Sequence, residues 1–216
     1  MIIFAVAVTA AFALIVAINA APRVEEKEKG KEWHVIVDSI PSNLDEFRAF
    51  RNAIAVTPQG GIVVYLVAQL IMIDKPELGE QCLVIALDRS ELSKSSPGSR
   101  RPSVDGWQIG SSEAWRMQTS SFQRAKSYVA KSYVAGTTTA GGYTLPPLPY
   151  RYVIRPHAYQ SSDPAVWKGL ASTSCSDLGY VPIHVKRNDK GIWKVVNSSS
   201  FYAGCKPPPS TESDGL

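Results

Sequence analysis

The chain has 216 residues, 44% of them apolar and 19% charged, which is enough for one domain with an ordinary core and an appendage. Its formal net charge of +4 at pH 7 is mild. This balance suits a soluble surface and argues against the strongly basic class of nucleic-acid-binding proteins, so we expect no nucleic acid partner.

Residues 1–22 form an apolar run with no charged side chain before Arg23. A run of this length can span a bilayer as a helix. A cleaved signal peptide is the alternative, although no basic residue precedes the run and Ile18 is bulky for cleavage after Ala20. Both interpretations predict a protein that is anchored in the membrane through residues 1–22 or exported, in the cell envelope or periplasm.

The next stretch, RVEEKEKGKE, mixes charges and contains little to bury. We interpret residues 23–38 as a charged, solvated spacer, with a short strand possible where Trp33, Val35 and Val37 alternate with polar neighbours. A single domain is predicted over 39–207, followed by a disordered tail at 208–216.

Three helices are predicted in the first half of the domain. Residues 42–43 can cap a helix that has an acidic residue three positions on, and Thr57 followed by Pro58 is typical of a second start. The run 62–73 is apolar nearly all round and too short to span a bilayer, which favours a central core helix. Pro76 ends this helix and begins a third.

The second half is rich in β-branched and aromatic residues with a period of two. The clearest hairpin joins YVPIHVKR to IWKVVN through the turn NDKG. The predicted fold class is therefore α+β, with N-terminal helices packed on a C-terminal antiparallel sheet and an apolar membrane or signal helix before them.

The pentapeptide AKSYV occurs twice in succession, at 125–134. Five residues rotate a helix by about 500°, so the two copies lie about 140° apart and cannot play equivalent roles. As a helix, Phe122, Ala125, Val129 and Tyr133 share one side and Gly136 is placed as the cap. The duplication then lengthens a helix and has no binding role of its own.

Several motifs, taken in order, resemble an uncharacterised bacterial family of domains of unknown function. The resemblance runs from about residue 40 to 208 and is carried by IPSNLDEFRAF, TPQGGIVVYLVAQLIMI, KSYVAGTTTAGGYT, GIWKV and SSSFYAGCKPP. It implies the domain boundary and an α+β fold, and it brings no catalytic residues and no known activity.

Two of the three cysteines are placed for a disulfide. The turn near Asp189 lies almost midway between Cys175 and Cys205, so antiparallel pairing can bring them together at the open end of the hairpin. Such a bond would stabilise by roughly 3 kcal/mol. The alternative is two unpaired thiols. Cys82, on an apolar helix, is interpreted as a buried core residue.

No catalytic, cofactor-binding or metal-binding constellation is recognisable. His34, His157 and His184 are widely spaced without a metal-ligand motif, and the serines of NSSSF lack a nucleophile elbow. We therefore expect no enzyme activity, no cofactor and no bound metal.

Basic residues make the strand-rich part a candidate binding surface for an anionic polymer. Arg151, Arg155, Lys186 and Lys194 would form the patch if they converged on one sheet face. A solvated strand face is the simpler explanation. The proline-rich loop 136–150 would complete the partner surface, which could also take an envelope protein.

These observations predict a non-catalytic, envelope-associated binding or structural module. The alternatives are a hydrolase with an unrecognised site and a membrane-anchored accessory protein that faces the cytoplasm.

Overall fold

The computed structural model describes residues 21–110 and 126–209. The predictions for residues 1–20, for Phe122 and Ala125 of the duplicated region, and for the tail beyond 209 lie outside the described residues.

Helices α1 (Leu44–Ile54), α2 (Pro58–Asp74) and α3 (Pro76–Ala86) begin at the predicted signals. The Asn43 side chain accepts a hydrogen bond from the Glu46 amide at 2.9 Å, and the Glu46 carboxylate accepts one from the Ser42 amide at 2.7 Å. The Thr57 hydroxyl caps α2 by accepting from the Gly60 amide. These contacts satisfy amides that a helix start leaves unpaired, and they confirm the predicted starts.

Helix α2 is the centre of the core, as its all-round apolar sequence predicts. It is buried from Gln59 to Met72, with α3 along one side and the sheet beneath. Glycine allows α2 to approach the sheet closely: a Cβ on Gly61 would lie 2.7 Å from the Trp193 Cβ. Backbone therefore meets sheet here without an intervening side chain.

A six-stranded antiparallel sheet forms the second layer, and a short two-stranded hairpin packs beside α3. In chain order, the strands are β1 (Arg23–Glu28), β2 (Glu32–Val37), β3 (Leu92–Lys94), β4 (Trp107–Ile109), β5 (Tyr150–Pro156), β6 (Val166–Ser172), β7 (Tyr180–Arg187) and β8 (Trp193–Asn197). The large sheet has the order β1-β2-β5-β6-β7-β8, and β3 pairs with β4 in the hairpin. The chain is α+β with a large antiparallel sheet, as the coarse prediction states.

The interpretation of residues 23–38 as a spacer is wrong, because β1 and β2 add two strands to this sheet. Val35 and Val37 are fully buried, and β2 pairs with β5 over Trp33 to Val37. The charges of β1 are accommodated at the sheet edge, where Arg23 pairs with Glu25 and Asp38. A charged edge strand discourages pairing with another chain, which explains how so polar a segment joins a sheet.

Within residues 21–110 and 126–209, no helix combines the length and apolar character needed to cross a bilayer. The predicted anchor or signal at 1–22 stays a prediction, since all but its last two residues lie outside this part of the chain.

The two AKSYV copies have different surroundings around helix α4 (Ser127–Ser132). Tyr128 of the first copy stacks on Tyr143 at 5.5 Å and stays partly exposed. Tyr133 of the second is buried, stacks on Phe201 at 4.8 Å and donates a hydrogen bond to the Phe201 carbonyl. The copies are therefore not interchangeable.

Candidate binding surface on the open face of the sheet

The two faces of the sheet differ in burial. One packs on α2, since a Cβ on Gly169 would meet Ile62, and it carries the buried Ile183 and Val185. The opposite face, here called the open face, presents the alternate residues of each strand, most of them exposed or half-buried. By this alternation Arg151, Arg155, Lys186 and Lys194 all lie on the open face.

The four residues nevertheless do not form one patch. Ile154, Ala171 and Val181 lie in one row across β5, β6 and β7. Arg151 is three residues to one side of this row and Lys186 is five to the other. At roughly 3.3 Å per residue, they are about 26 Å apart along the strands.

Arg155 is already engaged by an acid. Its Nε and Nη2 atoms donate to the same Glu32 oxygen at 2.9 and 2.6 Å, and its guanidinium lies 4.7 Å from the centre of the Tyr180 ring. The Arg155 hydrogen bond lowers the pKa of Glu32, with a smaller contribution from His34, whose Nε2 lies 3.0 Å from the other carboxylate oxygen. The contacts among Arg155, Glu32 and His34 link β5 to β2. They leave Arg155 with little positive charge for binding another anion.

At the far end of β6, β7 and β8, three lysines come together without an acid. Lys168 pairs across the ladder with His184, and Lys186 pairs with Lys194. Among the described residues, none of the three has a carboxylate within ion-pair distance. We call Lys168, Lys186 and Lys194 the basic end. Burial, and then the charge of Lys168, lower the pKa of His184, so neutral imidazole is favoured beside them.

The basic end continues around the outer edge of β8, where two distant segments are attached. The Trp193 amide donates to the Ala55 carbonyl after α1, and the Asp88 amide donates to the Val195 carbonyl, both at 2.8 Å. Arg51 and Arg89 thereby come near Lys194. Burial lowers the pKa of Lys194 to about 8, with further lowering by the charges of Arg51 and Arg89. Sequence reasoning missed both arginines because nothing in the sequence links positions 51, 89 and 194.

A separate groove of about 280 Å³ lies between the end of α2 and the start of β5. Its walls are mostly apolar, from Ile40, Ile73, Leu145 and Tyr150, with Lys131 among the polar groups. Among the described residues it holds no histidine or cysteine, and the described part of the chain has no cluster of three metal-ligating side chains. Its other charged groups are Asp74 and Lys75.

Cys175 and Cys205 are joined by a disulfide, with their Cα atoms 4.5 Å apart. The Lys206 amide donates to the Cys175 carbonyl, and the Lys206 carbonyl accepts a hydrogen bond from the Tyr143 hydroxyl at 2.6 Å. The proline-rich loop is thus fastened at Tyr143 to the bridged segment, while Leu148 is exposed. Cys82 is a free, buried thiol, and burial raises its pKa to about 12.

A family model matches the chain from residue 39 onward, so β1 and β2 lie before the matched region although they belong to the six-stranded sheet. No curated protein and no solved structure matches the chain. The family's model covers residues 39–209, close to the boundaries expected from the sequence, and the chain belongs to this family, described as a domain of unknown function (DUF6935).

Proposed function

We propose that the protein is a non-catalytic binding module that holds an anionic polysaccharide on the open face of its sheet. The observation that carries the proposal is the basic end, where Lys168, Lys186 and Lys194 meet without a partner acid in the described chain. Like charges directly opposite each other, as in the pair Lys186 and Lys194, destabilise a sheet unless an anion lies between them.

The proposal names a polysaccharide because the basic end itself consists of lysines and a histidine, which suit a polymer bound through its acidic groups. Proteins that bind single-stranded nucleic acids combine a basic groove with open aromatic faces. Tyr159 is an exposed ring in the turn after β5, and this turn is joined to Lys168 by the hydrogen bond from the His157 amide to the Lys168 carbonyl. Single-stranded DNA is therefore a necessary competitor in the test.

The location we propose is the cell envelope, on the oxidising side of a membrane. The bond between Cys175 and Cys205 supports this proposal, because structural disulfides persist in oxidising compartments. The apolar run at 1–22 would supply the export signal or the anchor.

The test is equilibrium binding of a fluorescein-labelled heparin hexasaccharide to the full chain, with polygalacturonate, neutral dextran and single-stranded DNA as competitors. In the variant that combines Lys168→Gln with Lys186→Gln, affinity should fall roughly tenfold or more, at about 1 kcal/mol per lysine near an anionic surface. Binding should also weaken as salt rises, because exposed charges are screened.

The matched control combines Lys29→Gln with Lys31→Gln, which removes the same charge from the exposed β1–β2 turn. It should bind like the parent chain. Equal losses in both double variants would show attraction to net charge only, and stronger competition by DNA than by polygalacturonate would reassign the partner to nucleic acid. Either result overturns the proposal.

A further inference from the structure

Three basic side chains lie close together at the outer edge of β8. Arg51 lies in the last turn of α1, Arg89 follows α3, and Lys194 lies on β8, so three separate elements contribute one cation each. Two backbone hydrogen bonds fix this meeting point, from Trp193 to Ala55 and from Asp88 to Val195.

No carboxylate in the described residues forms an ion pair with any of these three cations. Asp88 is the nearby acid that acts on Lys194, but its Oδ1 atom already accepts hydrogen bonds from the Ser90 amide and hydroxyl. Arg51 and Lys194 are both half-buried. Partly buried charges are normally paired with an opposite charge, whereas the Arg51 Nε atom donates only to a neutral acceptor, Asn52 Oδ1, at 3.0 Å. The cluster therefore keeps positive charge that an anion could neutralise.

Ordinary structural roles explain part of the cluster only. Arg51 lies in the last turn of α1, where a cation favours the helix dipole. Arg89 stacks on Trp107 at 3.8 Å, which orients its planar guanidinium and leaves the N–H groups at its edge free to donate. Neither role accounts for placing Lys194 beside two arginines.

We propose that Arg51, Arg89 and Lys194 together bind one tetrahedral oxyanion, a phosphate or sulfate group. Donors from three elements match the three or four oxygens of such a group better than the two of a carboxylate. The group is either a free ion or a substituent of the bound polymer, and the second case rests on the function proposed above.

The first experiment titrates inorganic phosphate and sulfate into the full chain at constant ionic strength, with chloride as the reference, and follows binding by NMR. Arg51→Gln and Arg89→Gln should each weaken phosphate binding at least fivefold. Arg48→Gln is the control, because Arg48 lies on the same helix but is already paired with Asp105 at 3.0 Å. Equal effects of Arg48→Gln and Arg51→Gln, or no saturable binding to the parent chain, would overturn the site.

The second experiment identifies the source of the oxyanion. If the group belongs to the polymer, phosphate competes with labelled heparin, and Arg51→Gln removes the preference for heparin over polygalacturonate. If the oxyanion is a free ion, phosphate and labelled heparin bind to the protein at the same time. The double variant Lys168→Gln with Lys186→Gln tests the polymer surface independently. If the double variant loses heparin binding while Arg51→Gln binds phosphate like the parent chain, the proposed function stands and the oxyanion site is rejected. If Arg51→Gln loses phosphate binding while the double variant binds heparin like the parent chain, only the polymer surface is rejected.

Discussion

Replacing Lys194 by methionine should stabilise the fold at neutral pH. Lys194 is half-buried on β8, faces Lys186 across the ladder, and is close to Arg51 and Arg89, while Asp88 is the acid that partly offsets them at Lys194. Burial lowers the pKa of Lys194 from 10.5 to about 8. At about 1.4 kcal/mol per pKa unit, holding the charge in the fold costs about 3–4 kcal/mol at most. Because the site is partly open to water, we expect a gain of about 1–3 kcal/mol.

The pH dependence separates this cause from better packing. The folded state gives up the Lys194 proton at about pH 8, whereas the unfolded chain keeps it to 10.5. Stability of the parent chain therefore rises with pH in this window, and the advantage of Lys194→Met should shrink by more than half between pH 7 and pH 9.5. Urea unfolding at both pH values measures it, with Lys190→Met in the exposed turn as the control. A variant that is less stable at pH 7, or equally improved at both pH values, would refute the reasoning.

Two further predictions concern the packing of the fold. Replacing Cys175 and Cys205 by serine should lower the free energy of unfolding by about 3.5 kcal/mol, since the bridge closes a separation of 30 residues; urea midpoints should then match those of the reduced parent chain. Gly61→Ala should destabilise by about 1–3 kcal/mol, because its Cβ would lie 2.7 Å from the Trp193 Cβ and 2.8 Å from the Trp193 carbonyl oxygen. Helix propensity alone predicts a gain of about 1 kcal/mol for this change, so a rise in melting temperature would contradict the close packing.

Local signals in the sequence were sufficient for the helices and for the last hairpin. The caps at Asn43 and Thr57 act on amides three residues away, and the turn after Arg187 joins neighbouring strands. Such features need no knowledge of the rest of the chain. The strand at Trp33–Val37 is different, because its partner on β5 lies more than 110 residues later, as in the pair His34 and Val153. Its charged neighbours locally favour a spacer, and only the distant pairing overrides them.

The candidate site shows the same limit. Alternation alone indicated that basic residues would share a face of the sheet, which is a property of each strand. It could not give the separation of Arg151 from Lys186, because that depends on the register across β5, β6 and β7. It also could not reveal that Glu32 occupies Arg155, nor that α1 and the segment after α3 bring Arg51 and Arg89 to Lys194.

The electrostatic cost at Lys194 and the proposed binding of an oxyanion are two effects of the same arrangement of charges. In the free protein, Arg51, Arg89 and Lys194 repel one another in a site that is only partly solvated. An oxyanion bound among them would attract all three cations and offset their mutual repulsion. Binding would therefore stabilise the folded state by about the free energy that the repulsion costs it. Lys194→Met should consequently be both the more stable protein and the weaker binder. A lysine with only a structural role would show no such opposition, because removing its unfavourable charge would leave oxyanion binding unchanged.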